Sequence, residues 1–423
     1  MFGLADCNNF YCSCERIFNP ALRTAPVVVL SNNDGCIIAR SNEAKALGIE
    51  MGAPFYKVRA FLEQNKVAVF SSNYTLYGDM SRRVMTLLAG FTPGLTQYSI
   101  DEAFIELAGF GEGETLRNYG RQIVSTIGRG TGIPVTLGIA PTKTLAKVAA
   151  RYGKRFKGYG GVCLIDTEDK RLKALKGLAV GDVWGIGRRT VKQLEYHGIH
   201  TAWDFTQRSE SWVRRELTVT GVRTWRELQG ESCIDIEELP QKRSICTSRS
   251  FPDQGLSRLG PLEEAVANFA ASCSRKLKEQ ESCCRAVTVF AYTSRFRTDM
   301  PGYAINRTVT LTVPTNDLRE LVSAAVGALR SQWNDAGTFF YKKAGVIVWD
   351  ICSSNEVQGD LFDTVDREKQ ARLASAIDAI NRKNGYNTVK VAVQGTDNSW
   401  RMKHEHESGK YTTNIDEIIK VKA

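Results

Sequence analysis

Histidine is scarce in this sequence, with four among 423 residues, and the cysteines do not make up the shortfall in zinc ligands. Cys12-Ser13-Cys14 and the adjacent Cys283-Cys284 have the wrong spacing for a zinc ribbon. No apolar run approaches the roughly 20 residues of a membrane span, which argues against a membrane partner. The opening Met1-Phe2-Gly3-Leu4-Ala5-Asp6 lacks the cationic n-region and long apolar core of an export signal. No long low-complexity tract points to a disordered chain. These absences argue against a zinc module, a membrane protein and a secreted disulfide scaffold. The eleven cysteines therefore read as reduced, mostly buried thiols of a cytoplasmic protein.

What is present is a globular composition with a basic balance. Hydrophobic residues make up 43% of the chain, and 56 Lys and Arg stand against 46 Asp and Glu, a net charge of +10. At roughly 100–200 residues per domain the length predicts two to four domains, and the charge favours a polyanionic partner.

The stretch Tyr98-Ser99-Ile100-Asp101-Glu102-Ala103-Phe104 places two adjacent carboxylates in an apolar run between Pro93-Gly94 and the glycine-rich Gly109–Gly113. Neighbouring side chains on a strand face opposite ways, so a buried strand would bury one of them. Burial without a metal or cationic partner is costly; the alternative is a hairpin tip with two solvated acids. A third acid, Asp6, lies among small and apolar neighbours in a run Phe2–Phe10 that reads as a strand, where it could also be a simple strand-end residue.

A helix is expected over Cys12–Phe18. Pro26–Ser31 reads as a strand ended by the turn Asn32-Asn33-Asp34-Gly35, with Cys36–Arg40 following. Asn42–Ile49 predicts a short helix with Gly48 near its end. Ser71-Ser72-Asn73-Tyr74 caps a helix through Tyr77, Met80, Val84 and Leu88. A helix over about 116–127, a strand Val135–Ala140 and a basic helix with Lys147, Arg151 and Lys154 complete an α+β domain of about 165 residues. Val180–Thr190 before a helix Val191–His197 reads as a helix-hairpin-helix. In it the tight Gly185-Ile186-Gly187 turn, flanked by Trp184 and Arg188, would present amides to a DNA phosphate; a plain turn is the alternative. Beyond a linker at Glu237-Glu238-Leu239-Pro240, strands over Arg243–Phe251, Arg285–Tyr292, Asn306–Val313 and Gly345–Ile351 alternate with helices near 261–280 and 316–334. They predict a sheet domain with helices on one face, and its 15 basic against 10 acidic residues over 241–352 suit strands laid along phosphates.

Asp6 before Phe10-Tyr11, the Tyr98–Phe104 stretch and the run Gly138-Ile139-Ala140-Pro141-Thr142-Lys143-Thr144-Leu145-Ala146-Lys147 resemble the palm of the Y-family translesion DNA polymerases. Ser31–Cys36 and Ser71–Tyr74 are similar to the UmuC type, and the match runs in order over nearly the whole chain. The resemblance implies a multidomain α+β right-hand polymerase. Its parts would be a ferredoxin-like palm (1–18 and 78–166), small fingers (19–77), a helical thumb with the helix-hairpin-helix (167–236), a β-sheet little finger (241–352) and a UmuC-type C-terminal extension (353–423).

The implied activity is template-directed, error-prone addition of dNTPs to a primer 3′ end opposite damaged bases, in the SOS response. Two Mg²⁺ ions would serve it, since hard cations take oxygen ligands and a metal pair clamps both attacking and leaving oxygens. By resemblance the ligands are Asp6, Asp101, Glu102 and the backbone carbonyl of Cys7. Asn8 stands where many relatives carry a further acid. Lys45 and Lys154 match triphosphate contacts, with Asn42 where many relatives have Tyr; unaided, each lysine reads as a solvated helix face. Tyr11, next to Phe10, matches the steric gate against a ribose 2′-OH, though alone it reads as a core aromatic. Ile38 and Ala39 match the roof over the nascent base pair. Gln358-Gly359-Asp360-Leu361-Phe362 is similar to a clamp-binding peptide, with Gln358, Leu361 and Phe362 docking. A helix Arg367–Asn381 and the Trp400–Thr413 segment resemble the UmuC-type extension, with Ser408-Gly409-Lys410 where relatives often have Ser-Pro-Arg. His404 and His406 read as a solvated pair. The expected partners are primer–template DNA, dNTP, a sliding clamp and, by resemblance only, a UmuD′-like dimer and a RecA filament, in the bacterial nucleoid-associated cytoplasm. Two other readings stay open: a catalytically inactive scaffold that binds DNA and clamp, and a metal-dependent repair nuclease.

Overall fold

The computed structural model describes residues 1–235, 241–334, 338–385, 387–396 and 400–419. The expected linker at Glu237–Pro240 lies outside them. The chain divides into two compact units, one of residues 1–236 with 405–423, the other of 237–404.

The first unit opens with β1 (Phe2–Cys7) and α1 (Phe10–Ile17). The expected strand through Phe10 stops short because Asn9 takes a left-handed conformation, φ 48°, and turns the chain into the helix. There follow β2 (Val27–Leu30), β3 (Ile37–Arg40), α2 (Asn42–Ala46), α3 (Phe55–Gln64), β4 (Ala68–Ser71) and α4 (Tyr74–Ala89). Next come β5 (Leu95–Gln97), β6 (Glu102–Glu106), α5 (Gly113–Thr131), β7 (Val135–Ala140), α6 (Lys143–Arg155) and β8 (Val162–Leu164). The helices α7 (Glu168–Lys176), α8 (Arg188–Tyr196), α9 (Ala202–Thr206) and α10 (Glu210–Leu228) complete the series.

A five-stranded sheet in the order β5-β6-β1-β7-β8 carries the first core. Period-2 alternation assigns its faces. Ala5, Cys7, Ala103, Ile105, Leu137 and Ile139 pack with residues of α4 and α5 such as Val84, Leu88, Ile123 and Ile127. Leu4 and Phe104 pack on the opposite face with Ala146 and Ala150 of α6. A smaller sheet, β3-β2-β4, lies alongside. Its central run Val27-Val28-Val29-Leu30 is buried on both faces: Val27 and Val29 join the first core, while Val28 and Leu30 join Ile37, Leu62 and Val67. A continuous β-branched run is what a doubly covered strand requires.

The helices α7 to α10 pack on the α6 side through Leu175, Leu194, Phe205 and Val213. The fully buried carboxylate of Glu227, on α10, accepts from the amides of Thr144 (2.8 Å), Cys233 (2.9 Å) and Ile234 (3.1 Å). One side chain thus satisfies donors on two segments.

The second unit contains β9 (Ser244–Ser250), α11 (Leu259–Glu279), β10 (Ser282–Thr293), β11 (Ala304–Thr315), α12 (Leu318–Arg330), β12 (Tyr341–Ser353) and α13 (Arg367–Asn384). Its antiparallel sheet has the order β11-β10-β12-β9. Val287, Val289, Ala291, Val346 and Val348 pack with Leu262, Ala265 and Leu321 of α11 and α12. The stretch read as one extension, 353–423, is divided: α13 belongs to the second unit, whereas 405–419 lie on the first. The reason is pairing with β4, where the Ser71 amide donates to the His406 carbonyl (3.0 Å) and the His406 amide to Ser71 Oγ (2.9 Å).

Candidate active site

Asp6 faces Glu102 across the β1–β6 pair. Both stand on the face that carries Leu4 and Phe104, so both point to the α6 side. On α6, Lys147, Arg151 and Lys154 recur at i, i+4 and i+7 and share one helical face. Lys147 Nζ binds Glu102 Oε2 at 2.8 Å, and Lys154 pairs with Asp6. The four side chains line a cleft of about 610 Å³ together with Leu4 and Trp184. Burial pushes the Asp6 carboxyl up to about 7; the Lys154 charge opposes this and neighbouring Glu102 adds to it. Two acids sharing a half-dry cleft suit a cation better than two protons.

Asp101 sits at the hairpin tip between β5 and β6. Ser99 Oγ donates to Asp101 Oδ1 (2.6 Å) and accepts from the Glu102 amide (3.0 Å), while the Cys7 amide donates to the Asp101 carbonyl (2.9 Å). This backbone bond ties the hairpin tip to the end of β1. The Cys7 side chain lies in the core on the far face of the sheet, and burial pushes its thiol up. Only its backbone is left for a role in the site. The donor set is hard oxygen throughout, which fits a hard divalent cation.

Among the described residues, three candidate ligand side chains with all donor atoms within 4.8 Å occur at Asp34, Glu405 and His406; the Asp6–Asp101–Glu102 set is more widely spread. His406, read as half of a solvated pair, is instead edge-on to Phe55 at 5.8 Å and bonded to Ser71.

Lys45 Nζ donates to Asn9 Oδ1 (2.6 Å), and Asn9 Nδ2 donates to Asn42 Oδ1 (3.1 Å). Asn42 thus holds the residue that holds Lys45. Burial lowers the Lys45 ammonium, and the charges of Arg40 and Lys154 lower it further. The two expected triphosphate cations therefore lie within each other's field.

Tyr11 stacks on Tyr77 (centroids 4.6 Å, 17°) and meets Tyr74 edge-on at 6.0 Å. Burial pushes its hydroxyl up to about 12, with Tyr74 and Asp101 contributing. Phe10 is buried beside it at 5.7 Å. The two expected roof residues differ: Ile38 is half-buried, but Ala39 is 7% exposed and packs into the core.

Trp184, expected as a DNA contact, is half-buried and lines the cleft. Its Nε1 donates to the Tyr98 hydroxyl (3.0 Å), and with Tyr98 it walls Lys147, whose Nζ lies 4.4 Å from the Tyr98 ring and 5.4 Å from Trp184. A cation between aromatic faces is held by their quadrupoles. Ile186 is buried. Gly185 has φ 87°, and Gly187 caps α8 with open space where a Cβ would stand. The first arm of the hairpin is a single 3-10 turn, Val180–Asp182, rather than a helix. In the second unit Leu361 and Phe362 are 93% and 86% exposed, beside a turn made by Asp360. Lys147, Ser99 and Asn9 were missed as site residues. The i, i+7 spacing of Lys147 and Lys154 was the available signal for the first; only contacts reveal the other two.

Residues 5–151 match the impB/mucB/samB family, 242–361 the C-terminal domain of that family, and 371–421 a domain of unknown function. The chain is 42% identical to protein UmuC of Salmonella typhimurium, over 100% of both chains. It belongs to the impB/mucB/samB family. Protein ImpB of Salmonella typhimurium is also 42% identical, over 99% of each chain, and DNA polymerase IV 1 of Bacillus subtilis is 25% identical over 91% of each. A Y-family DNA polymerase chimera of Dbh and Dpo4 superposes with a TM-score of 0.64 at 19% identity, covering 84% of this chain and all of that one. The fold is thus the right-hand α+β fold of the Y-family, and this member of the family is a DNA-directed DNA polymerase of error-prone translesion synthesis in the SOS response. Its substrate is DNA and it depends on a divalent metal. No helix among the described residues is long and apolar enough to cross a membrane.

Proposed function

We propose that nucleotidyl transfer takes place in the cleft between β1, β6 and α6, with Asp6, Asp101, Glu102 and the Cys7 carbonyl as ligands of two Mg²⁺ ions. The observation that carries this is the cross-strand pair Asp6–Glu102, aimed at the two lysines of α6. When bound, the metals would lower the charge cost of attack and departure at the α-phosphate. Lys154, held on Asp6, and Lys45, held by Asn9, stand where cations can neutralise a triphosphate. Lys147 is held in place between Tyr98 and Trp184 and steadies Glu102. Tyr11 serves as the gate against a 2′-OH, on a wall formed with Phe10, and Ile38 offers more surface to the base pair than Ala39.

The family's domain names apply as palm (1–18, 78–166), fingers (19–77), thumb (167–236), little finger (241–352) and an extension from 353 whose segment 405–419 lies with the first unit, with Gly185, Gly187 and Arg188 on DNA phosphates. Exposure of Leu361 and Phe362 supports docking of 358–362 on a sliding clamp. Family membership further points to a UmuD′-like dimer and a RecA filament as partners in the nucleoid-associated cytoplasm. Primer extension with Mg²⁺, four dNTPs and these partners, on undamaged and abasic templates, tests the assignment. Extension past the lesion should vanish in Asp101→Asn while DNA binding persists. Undiminished extension by that variant refutes the metal assignment. Cleavage without dNTPs would favour a nuclease, and binding without extension a scaffold.

A further inference from the structure

Residues 406–411 reach the gate from the far end of the sequence. Asn73 caps α4 by accepting from the Leu76 amide (3.1 Å), and its Nδ2 donates to the carbonyls of Ser408 (3.1 Å) and Gly409 (3.3 Å). Tyr411 stacks on Phe18 at 4.9 Å. Ser408 Oγ donates to Glu15 Oε1 (3.0 Å), and the same oxygen accepts from the Tyr77 hydroxyl (2.6 Å). Glu15 is 2% exposed and Tyr77 fully buried. Tyr77 is the ring stacked on Tyr11, and α4, whose cap the tail holds, also carries Tyr74, the ring edge-on to Tyr11. A buried carboxylate oxygen fed by two hydroxyls couples their positions, since displacing either donor leaves the acceptor under-satisfied.

We propose that the segment around Ser408 is a positioning strap for sugar selection, which through Glu15 and Tyr77 sets the plane that Tyr11 presents to the incoming nucleotide. This rests on the reading of Tyr11 as the gate. Ser408, Glu15 and Tyr77 are positioning residues and touch no substrate. The strap falls in the 371–421 match of unknown function and gives that segment a role in the reaction itself.

The test compares kcat/KM for a dNTP and the matching rNTP on an undamaged template, using the full chain with its partners. Ser408→Ala and Tyr77→Phe should lower dNTP preference by roughly three- to tenfold, the scale of one buried hydrogen bond, with dNTP use nearly unchanged. Ser408→Thr, which keeps the hydroxyl, should retain the preference. Unchanged preference in Ser408→Ala and Tyr77→Phe, while Tyr11→Ala loses it, overturns the strap and leaves the gate standing. Equal falls for both sugars would show a merely structural role and overturn it as well. Unchanged preference in Tyr11→Ala refutes the gate and the strap with it.

Discussion

Gly138→Ala tests whether the place of α6 decides activity. Gly138 lies on β7, opposite Leu4 of β1, where α6 crosses the sheet. A Cβ there would fall inside contact with the Ala150 amide nitrogen and the Ala146 carbonyl oxygen, and 2.7 Å from Ala150 Cα, whereas ordinary contact begins at 3.4 Å. All three atoms are backbone, so no rotamer change relieves the overlap and the helix must shift as a body. Overpacking of this kind costs about 1–3 kcal/mol, and backbone atoms on one side put the cost at the upper end. The shift would stretch Lys147–Glu102 from 2.8 Å and pull Lys154 from Asp6, so activity should fall further than stability accounts for. Urea unfolding followed by tryptophan fluorescence gives the stability loss, and primer extension under conditions where the variant stays folded gives the activity. Gly158→Ala, at a site where a Cβ meets nothing within 4 Å, is the neutral control. A wild-type midpoint together with wild-type extension in Gly138→Ala would refute the reasoning.

Glu227→Ala should cost about 3 kcal/mol by urea unfolding, because one buried and two part-buried amides lose their acceptor; Glu227→Gln should keep part of this, and equal losses would argue against the hydrogen-bond account. Burial pushes the Glu15 carboxyl up to about 6 from 4.5, against the bonds from Tyr77 and Ser408. The native state thus binds this proton more tightly than the unfolded chain, and stability falls as pH rises through 4.5 to 6. Glu15→Gln should therefore gain about 2 kcal/mol relative to the parent between pH 4 and pH 7; a pH-independent difference would refute it. Replacing Leu361 and Phe362 by Ala should leave unfolding unchanged, since both are exposed, and lower clamp-dependent synthesis while sparing clamp-free extension. Equal loss of both activities counts against the docking reading.

Much of the site was legible because its information is local. The alternation of Leu4, Ala5, Asp6 and Cys7 on a strand, the Asn73 cap and the spacing of Lys147, Arg151 and Lys154 are set by neighbours within two helical turns. So is the order of strands and helices, whereas the three acids were singled out as a set only by the family resemblance. Contact across the chain decided the rest. Pairing register put Asp6 opposite Glu102, and close approach of α6 gave Lys147 to Glu102 and Lys154 to Asp6. Packing set Trp184 beside Lys147 and took Ala39 into the core. Ser408 bonds to Glu15 across 393 positions. No propensity or periodicity encodes such a bond, because its partners become neighbours only when separate hydrophobic surfaces close on one another.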